Sequence, residues 1–257
     1  MKKLLLLSAM AGMFAMTSCT DDTASNGTAT MAVRLTDAPA NYDALNIDVQ
    51  KIEFFTNSGM QAATVVNPGI YNLLNFRNGT DVLLAQVQLP EGSLSQMRLV
   101  LGENNTVVID GVEHKLSTPS AMQSGLKFNW HETLEAGGAY EVWIDFDAAR
   151  SIVKQGNGTY ALKPVIRTFS KLTDGQIKGY LKPAEANGSV HVLKATDTVA
   201  TAIPNLDGFY MFKGLAEGSY TVSFDADDKT GYKDQDTTSI GVTFGKITDL
   251  GTTTLIK

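Results

Sequence analysis

Apolar and polar residues alternate with a period of two over most of the chain, as in strands with one buried face. Met31, Val33 and Leu35 share one parity near the start. Leu45, Ile47 and Val49 hold odd positions and Ile52 and Phe54 even ones. That switch at Gln50-Lys51 predicts a β-bulge or the start of a second strand. Val107–Ile109 and Val112–Leu116 flank Asp110-Gly111, a pair suited to the positive φ angles of a tight hairpin turn. Tyr140, Val142, Ile144 and Phe146 form another alternating set, and one short helix is expected around Asp147–Lys154. After Leu172-Thr173-Asp174-Gly175 the strands shorten, and Ile177–Leu181, Val190–Leu193, Phe209–Phe212, Tyr220–Phe224 and Ile240–Phe244 alternate between turn signals. No internal repeat is visible. The predicted fold class is all-β, with two consecutive antiparallel β-sandwich domains and a short helix near the end of the first.

The N-terminus departs from this pattern. Lys2-Lys3, Leu4–Leu7 and a small-apolar run to Met16 have the anatomy of a secretory signal, too short to span a bilayer. The run ends at Thr17-Ser18-Cys19 and resembles a bacterial lipobox, with Met16 where leucine is usual. The resemblance implies a signal peptide over 1–18, a lipid on Cys19 as the membrane partner, and a small, polar, flexible tether over 19–29. The alternative is an ordinary signal peptide with a chance cysteine. Thr20-Asp21-Asp22 resembles the surface-export signal of Bacteroidota lipoproteins, which implies an outer-membrane anchor with the body facing the cell exterior. Asp22-Thr23-Ala24 resembles an O-glycan acceptor of the same group, with Thr23 as the modified residue.

Two stretches resemble known domains. Val33-Arg34-Leu35-Thr36-Asp37-Ala38-Pro39, Leu89-Pro90-Glu91-Gly92, Met97-Arg98-Leu99, Ile144-Asp145-Phe146-Asp147 and Leu162-Lys163-Pro164-Val165-Ile166 follow the order and spacing of the bacterial domain-of-unknown-function family 4382. That resemblance covers 31–168 within a first domain of 30–170 and implies a β-rich extracellular body of no known activity. Ile177-Lys178-Gly179-Tyr180, Asp207–Phe212 and Gly218–Val222 resemble the carboxypeptidase-regulatory-like, or transthyretin-like, sandwich over 174–257. Its superfamily includes starch-binding domains, but such a pattern identifies a fold better than a function.

Composition narrows the chemistry. Hydrophobic residues make up 43 % and charged ones 19 %, enough for a real core and unlike a disordered chain. The formal charge of −6 and the absence of a basic run beyond Lys2-Lys3 disfavour nucleic acid as a partner. The single cysteine excludes a disulfide framework, and His114, His131 and His191 are too scattered to suggest a metal centre. No G-x-S-x-G elbow, H-E-x-x-H helix or Walker loop occurs. His131 and Glu132, adjacent on a strand, point to opposite faces and cannot easily converge. The chain is therefore expected to be no enzyme and to carry neither metal nor cofactor.

Binding is the remaining theme. Trp143, Asp145 and Asp147 share the outward face of a strand with Glu141, and a ring beside carboxylates suits a sugar. The same carboxylates with Asp37 have the hard oxygens that calcium prefers. The plainer account has Asp147 capping the short helix and Asp145 paired with a Lys or Arg. Trp130, in phase with Leu126 and Phe128, is assigned to the core. Asp225, Asp227, Asp228, Asp234 and Asp236 crowd one loop, but Lys229 and Thr230 break a calcium-loop pattern, leaving a solvated acidic loop. Tyr210, Phe212, Tyr220 and Phe224 read as core of the second domain, with Tyr180, Phe209 and Tyr232 left to make outside contacts. The expected role is a non-catalytic binding or adhesion accessory, with glycans the first ligand class to test. The alternative is a structural subunit or anchor of a larger surface assembly.

Overall fold

A computed structural model of the protein describes residues 27–38, 40–118 and 125–257; Cys19 and Thr23 lie outside them. The strands are β1 (Thr28–Ala38), β2 (Ala44–Thr56), β3 (Gly59–Asn72), β4 (Val82–Pro90), β5 (Gly92–Leu101), β6 (Thr106–Ile109), β7 (Val112–Ser117), β8 (Leu126–Leu134) and β9 (Ala139–Asp147). After the helix α1 (Ala148–Ser151) come β10 (Ile152–Lys154), β11 (Tyr160–Leu162), β12 (Ile166–Ser170), β13 (Gly175–Lys182) and β14 (Ser189–Lys194). The chain ends with β15 (Asp197–Ala202), β16 (Phe209–Leu215), β17 (Gly218–Asp225), β18 (Gln235–Val242) and β19 (Ile247–Thr254).

Four sheets form among the described residues. Two belong to the N-terminal half, in the orders β12-β9-β1-β4 and β10-β11-β7-β6-β2-β5-β8, with β3 also paired to β2. Two belong to the C-terminal half, in the orders β16-β13-β19 and β15-β14-β17-β18. The sheets are mixed rather than antiparallel throughout: β1 runs parallel to β9, β11 to β7 and β13 to β19. These parallel partners are far apart in sequence, so no hairpin turn signals them.

Local signals explain much of the rest. At Gln50 the register of β2 shifts against both β3 and β5, so Leu45, Ile47 and Val49 and then Ile52 and Phe54 all reach the core. The expected bulge is the device that keeps a 13-residue strand amphipathic. Asp110 and Gly111 take φ of 52° and 75° and close the β6–β7 hairpin. The helix is a single turn, because Ile152–Lys154 leaves it to pair with β11.

Apolar side chains gather in two separate clusters. One runs from Ala29 to Leu162 with Phe54 and Phe146 fully buried, the other from Ile177 to Leu255 around Tyr210 and Phe224. Tyr210, Phe212, Tyr220 and Phe224 are buried, as their alternation predicts. Tyr180 is exposed and meets Phe209 edge-on at 5.4 Å. In the acidic loop, Asp227 accepts the Lys229 N–H and Asp234 the Ala226 N–H, so these carboxylates hold backbone.

Candidate functional site

On β9, Val142, Ile144 and Phe146 face the N-terminal core, which leaves Glu141, Trp143 and Asp145 on the outer face as expected. Trp143 and Asp145 do not meet water there, whereas Glu141 stays partly exposed. Trp143 is only 8 % exposed: its ring stacks on Phe169 of β12, with centroids 5.6 Å apart and planes 2° from parallel. Lys213 of β16 lies 6.0 Å from the ring centroid. The expected sugar platform is therefore covered, by Phe169 of the same sheet and by Lys213 from the C-terminal half.

Asp81, just before β4, ties this region together. It accepts the Trp143 indole N–H at 3.0 Å and pairs with Arg34 at 2.8 Å and with Lys213 at 3.4 Å. Burial alone would raise the Asp81 carboxyl; the Trp143 N–H, Arg34 and Lys213 outweigh it and hold it below the usual carboxylate range. Asp145 is buried and paired with Arg167, and Asp147 caps α1 by accepting the Arg150 N–H at 3.0 Å. The structural account of both carboxylates is the one realised. Asp37 lies on the neighbouring strand and accepts the Ala148 N–H at 3.2 Å. Among the described residues no three His, Cys, Asp or Glu side chains converge as metal ligands.

The turn Arg77–Thr80, not singled out from the sequence as a contact, docks the two halves. Asn78 and Gly79 have φ of 55° and 82°, and Thr80 N–H closes the turn on the Arg77 carbonyl. Thr36 holds it to β1 with its hydroxyl, whose single proton is shared between the Phe76 and Thr80 carbonyls, both at 2.9 Å. Asn78 Nδ2 then reaches the Ile203 carbonyl at 3.0 Å, and Lys213 Nζ the Gly79 carbonyl at 2.8 Å. A Cβ on Gly79 would lie 2.6 Å from Met211 Sδ. Asn-Gly is a strong turn signal, so the turn was legible; its partner was not.

A second place is open. A cavity of about 520 Å³ is lined by Arg34, Gln86, Trp130, Glu132, Tyr140 and Glu141, with Ser170, Lys171 and Leu172 on one side. Trp130 is half-buried and packs partly against the N-terminal core, so its assignment to the core holds only for part of the ring. Its indole N–H is buried without an acceptor among the described residues. Tyr140 is oriented through its hydroxyl, which donates to the Thr133 carbonyl and accepts the Glu135 N–H. His131 points away, on the exposed face of β8.

Fold and site together define a β-sheet protein with two cores, a covered polar junction and one open aromatic cavity. The model of the family described as Domain of unknown function (DUF4382) matches residues 28–164, and the chain belongs to that family. No curated protein matches. Among solved structures, the Bacillus anthracis TIE protein aligns with 90 % of this chain at 12 % identity and a TM-score of 0.27; the chain spans about a third of it (35 %). The minor pilin GBS52 of Streptococcus agalactiae aligns with 88 % of this chain, over 97 % of its own length, at 10 % identity and a TM-score of 0.24. At these scores the likenesses carry no functional argument.

Proposed function

We propose that this protein is a lipid-anchored, surface-facing binding accessory without catalytic activity, and that the Trp130 cavity takes a neutral glycan. The two halves are read as consecutive β-sandwich domains, the second transthyretin-like. Acylated Cys19 is the anchor, as in Bacteroidota lipoproteins. The observation that carries the reading is the cavity. Its volume suits a ligand of one or two sugar rings. A fixed Tyr140 and a half-buried Trp130 supply apolar ring faces. Arg34 and Lys171 balance Glu132 and Glu141, so no net charge selects for an ionic ligand. Arg34 is already bonded to Asp81 and Glu141.

A glycan array on the chain beginning after Cys19, followed by titration of the best hit, tests this. Trp130→Ala is expected to weaken binding by about thirtyfold, the loss of about 2 kcal/mol typical of a central aromatic contact. Binding that survives this change, or an array with no neutral hit, rejects the cavity as a glycan site and leaves the structural-subunit role. The anchor is tested separately: Cys19→Ala is expected to move the protein out of the detergent phase and remove the acyl mass.

A further inference from the structure

A smaller cavity lies between the two halves, next to the Asn78–Gly79 turn. Its volume is about 30 Å³, room for about one water molecule. Asp37, Asn78, Asp145, Arg167, Thr201 and Lys213 line it, so both halves contribute. Two of its oxygens are buried with no hydrogen-bond partner among the described residues: Asp37 Oδ2 and Asn78 Oδ1. Asp37 is 5 % exposed, and its other oxygen accepts the Ala148 N–H. The amide nitrogen of Asn78 is committed to the Ile203 carbonyl of the C-terminal half.

Two acceptors cannot satisfy each other, and an unpaired buried acceptor is costly. A protonated carboxyl, unlike a carboxylate, is a donor. The two cations that line the cavity are already engaged: Arg167 holds Asp145, and Lys213 holds Asp81 and the Gly79 carbonyl. Burial, reinforced by Asp145 and Asp147, pushes the Asp37 carboxyl well above its usual range, against the Ala148 N–H and the weaker pull of Arg77.

We propose that the proton on Asp37 is a structural part of this junction: the neutral carboxyl donates to Asn78 Oδ1, directly or through one water in the cavity, and losing that proton loosens the C-terminal half. This inference is independent of the glycan reading. The sign follows from linkage. A carboxyl raised in the folded state contributes stability that is complete below its unfolded value and lost as pH rises through the folded one. Asp81, held low, has the opposite sign: its contribution is present above its unfolded value and lost as pH falls through the folded one. The two are therefore read at different ends of the pH scale.

The test uses the chain from residue 20 onward, wild type and Asp37→Asn, from about pH 5 to about pH 9. Junction opening is read by tryptic cleavage at exposed Lys171, beside Leu172, which is 82 % exposed. Wild-type cleavage is expected to accelerate as pH rises, by up to about tenfold per pH unit within the titration window. Asp37→Asn keeps a donor without a titrating proton, and its cleavage, divided like that of the wild type by trypsin's rate on an unstructured peptide at the same pH, is expected to stay slow and flat. Equal pH slopes in the two proteins would overturn the proposal. So would calcium or sodium slowing wild-type cleavage at alkaline pH and not that of the variant, because a bound cation would then be the guest. A readout without unfolding is the infrared carbonyl band of a protonated carboxyl at neutral pH, expected in wild type minus Asp37→Asn; its absence there overturns the proposal.

Discussion

Trp143→Ala is expected to destabilise the protein by about 3–5 kcal/mol, the usual cost of deleting a large buried ring. For a chain of this size that lowers the melting temperature by about 6–20 °C. The ring is 8 % exposed and stacked on Phe169, and its N–H is one of the donors that hold Asp81. Its loss leaves a cavity between the halves and removes a hydrogen bond from a mostly buried carboxylate. Because the two apolar clusters are separate, the damage should fall on their docking before it reaches either core. Calorimetry is expected to show two transitions where the parent shows one. Trp143→Phe keeps the stacking and loses the N–H, so it should fall between the two. Glycan binding at the Trp130 cavity should persist well below the melting range. An alanine variant as stable as the parent would mean that the outer face of β9 is not covered in solution.

That prediction also marks the limit of what alternation can tell. Period-two patterning reports which face of a strand a residue takes, and for β9 it does so correctly: Val142, Ile144 and Phe146 go in, Trp143 and Asp145 go out. It does not report what the outer face meets. Here that is Phe169, Arg167 and Lys213, from a later strand and from the other half of the chain. Turn chemistry is equally local. Asp110-Gly111 and Asn78-Gly79 both announce turns, but only the second carries a contact across the junction, through side chains that turn geometry does not specify. The parallel pairing of β1 with β9 joins residues about a hundred positions apart, and such pairing leaves no short-range mark. The Trp130 cavity draws on β1, β4, β8, β9, the end of β12 and the segment after it, so no single stretch of sequence could display it.

Gly214→Ala is expected to cost about 2–5 kcal/mol from one added methyl group, adding backbone strain to overpacking. Gly214 has φ of 69°, which an L side chain adopts at a cost of about 1–2 kcal/mol. A Cβ there would lie 2.4 Å from the Phe169 ring, against about 1–3 kcal/mol for forcing extra volume into a packed site. Two restraints prevent easy relief. The Gly214 N–H is held by Asp174 Oδ1 at 2.6 Å, so the strand cannot simply retreat. The opposing ring is stacked on Trp143, so moving it disturbs the indole bonded to Asp81. Denaturant unfolding of Gly214→Ala, Phe169→Ala and the double variant separates the contributions. Phe169→Ala should itself be destabilising, but in its background the added methyl meets open space and only the backbone cost remains. The cycle is therefore expected to be non-additive by about 1–3 kcal/mol, within the range seen for residues in direct contact. If Gly214→Ala shifts stability by less than about 0.5 kcal/mol, the magnitude of an ordinary surface change, β16 does not press on Phe169 and the covered junction is wrong at its centre.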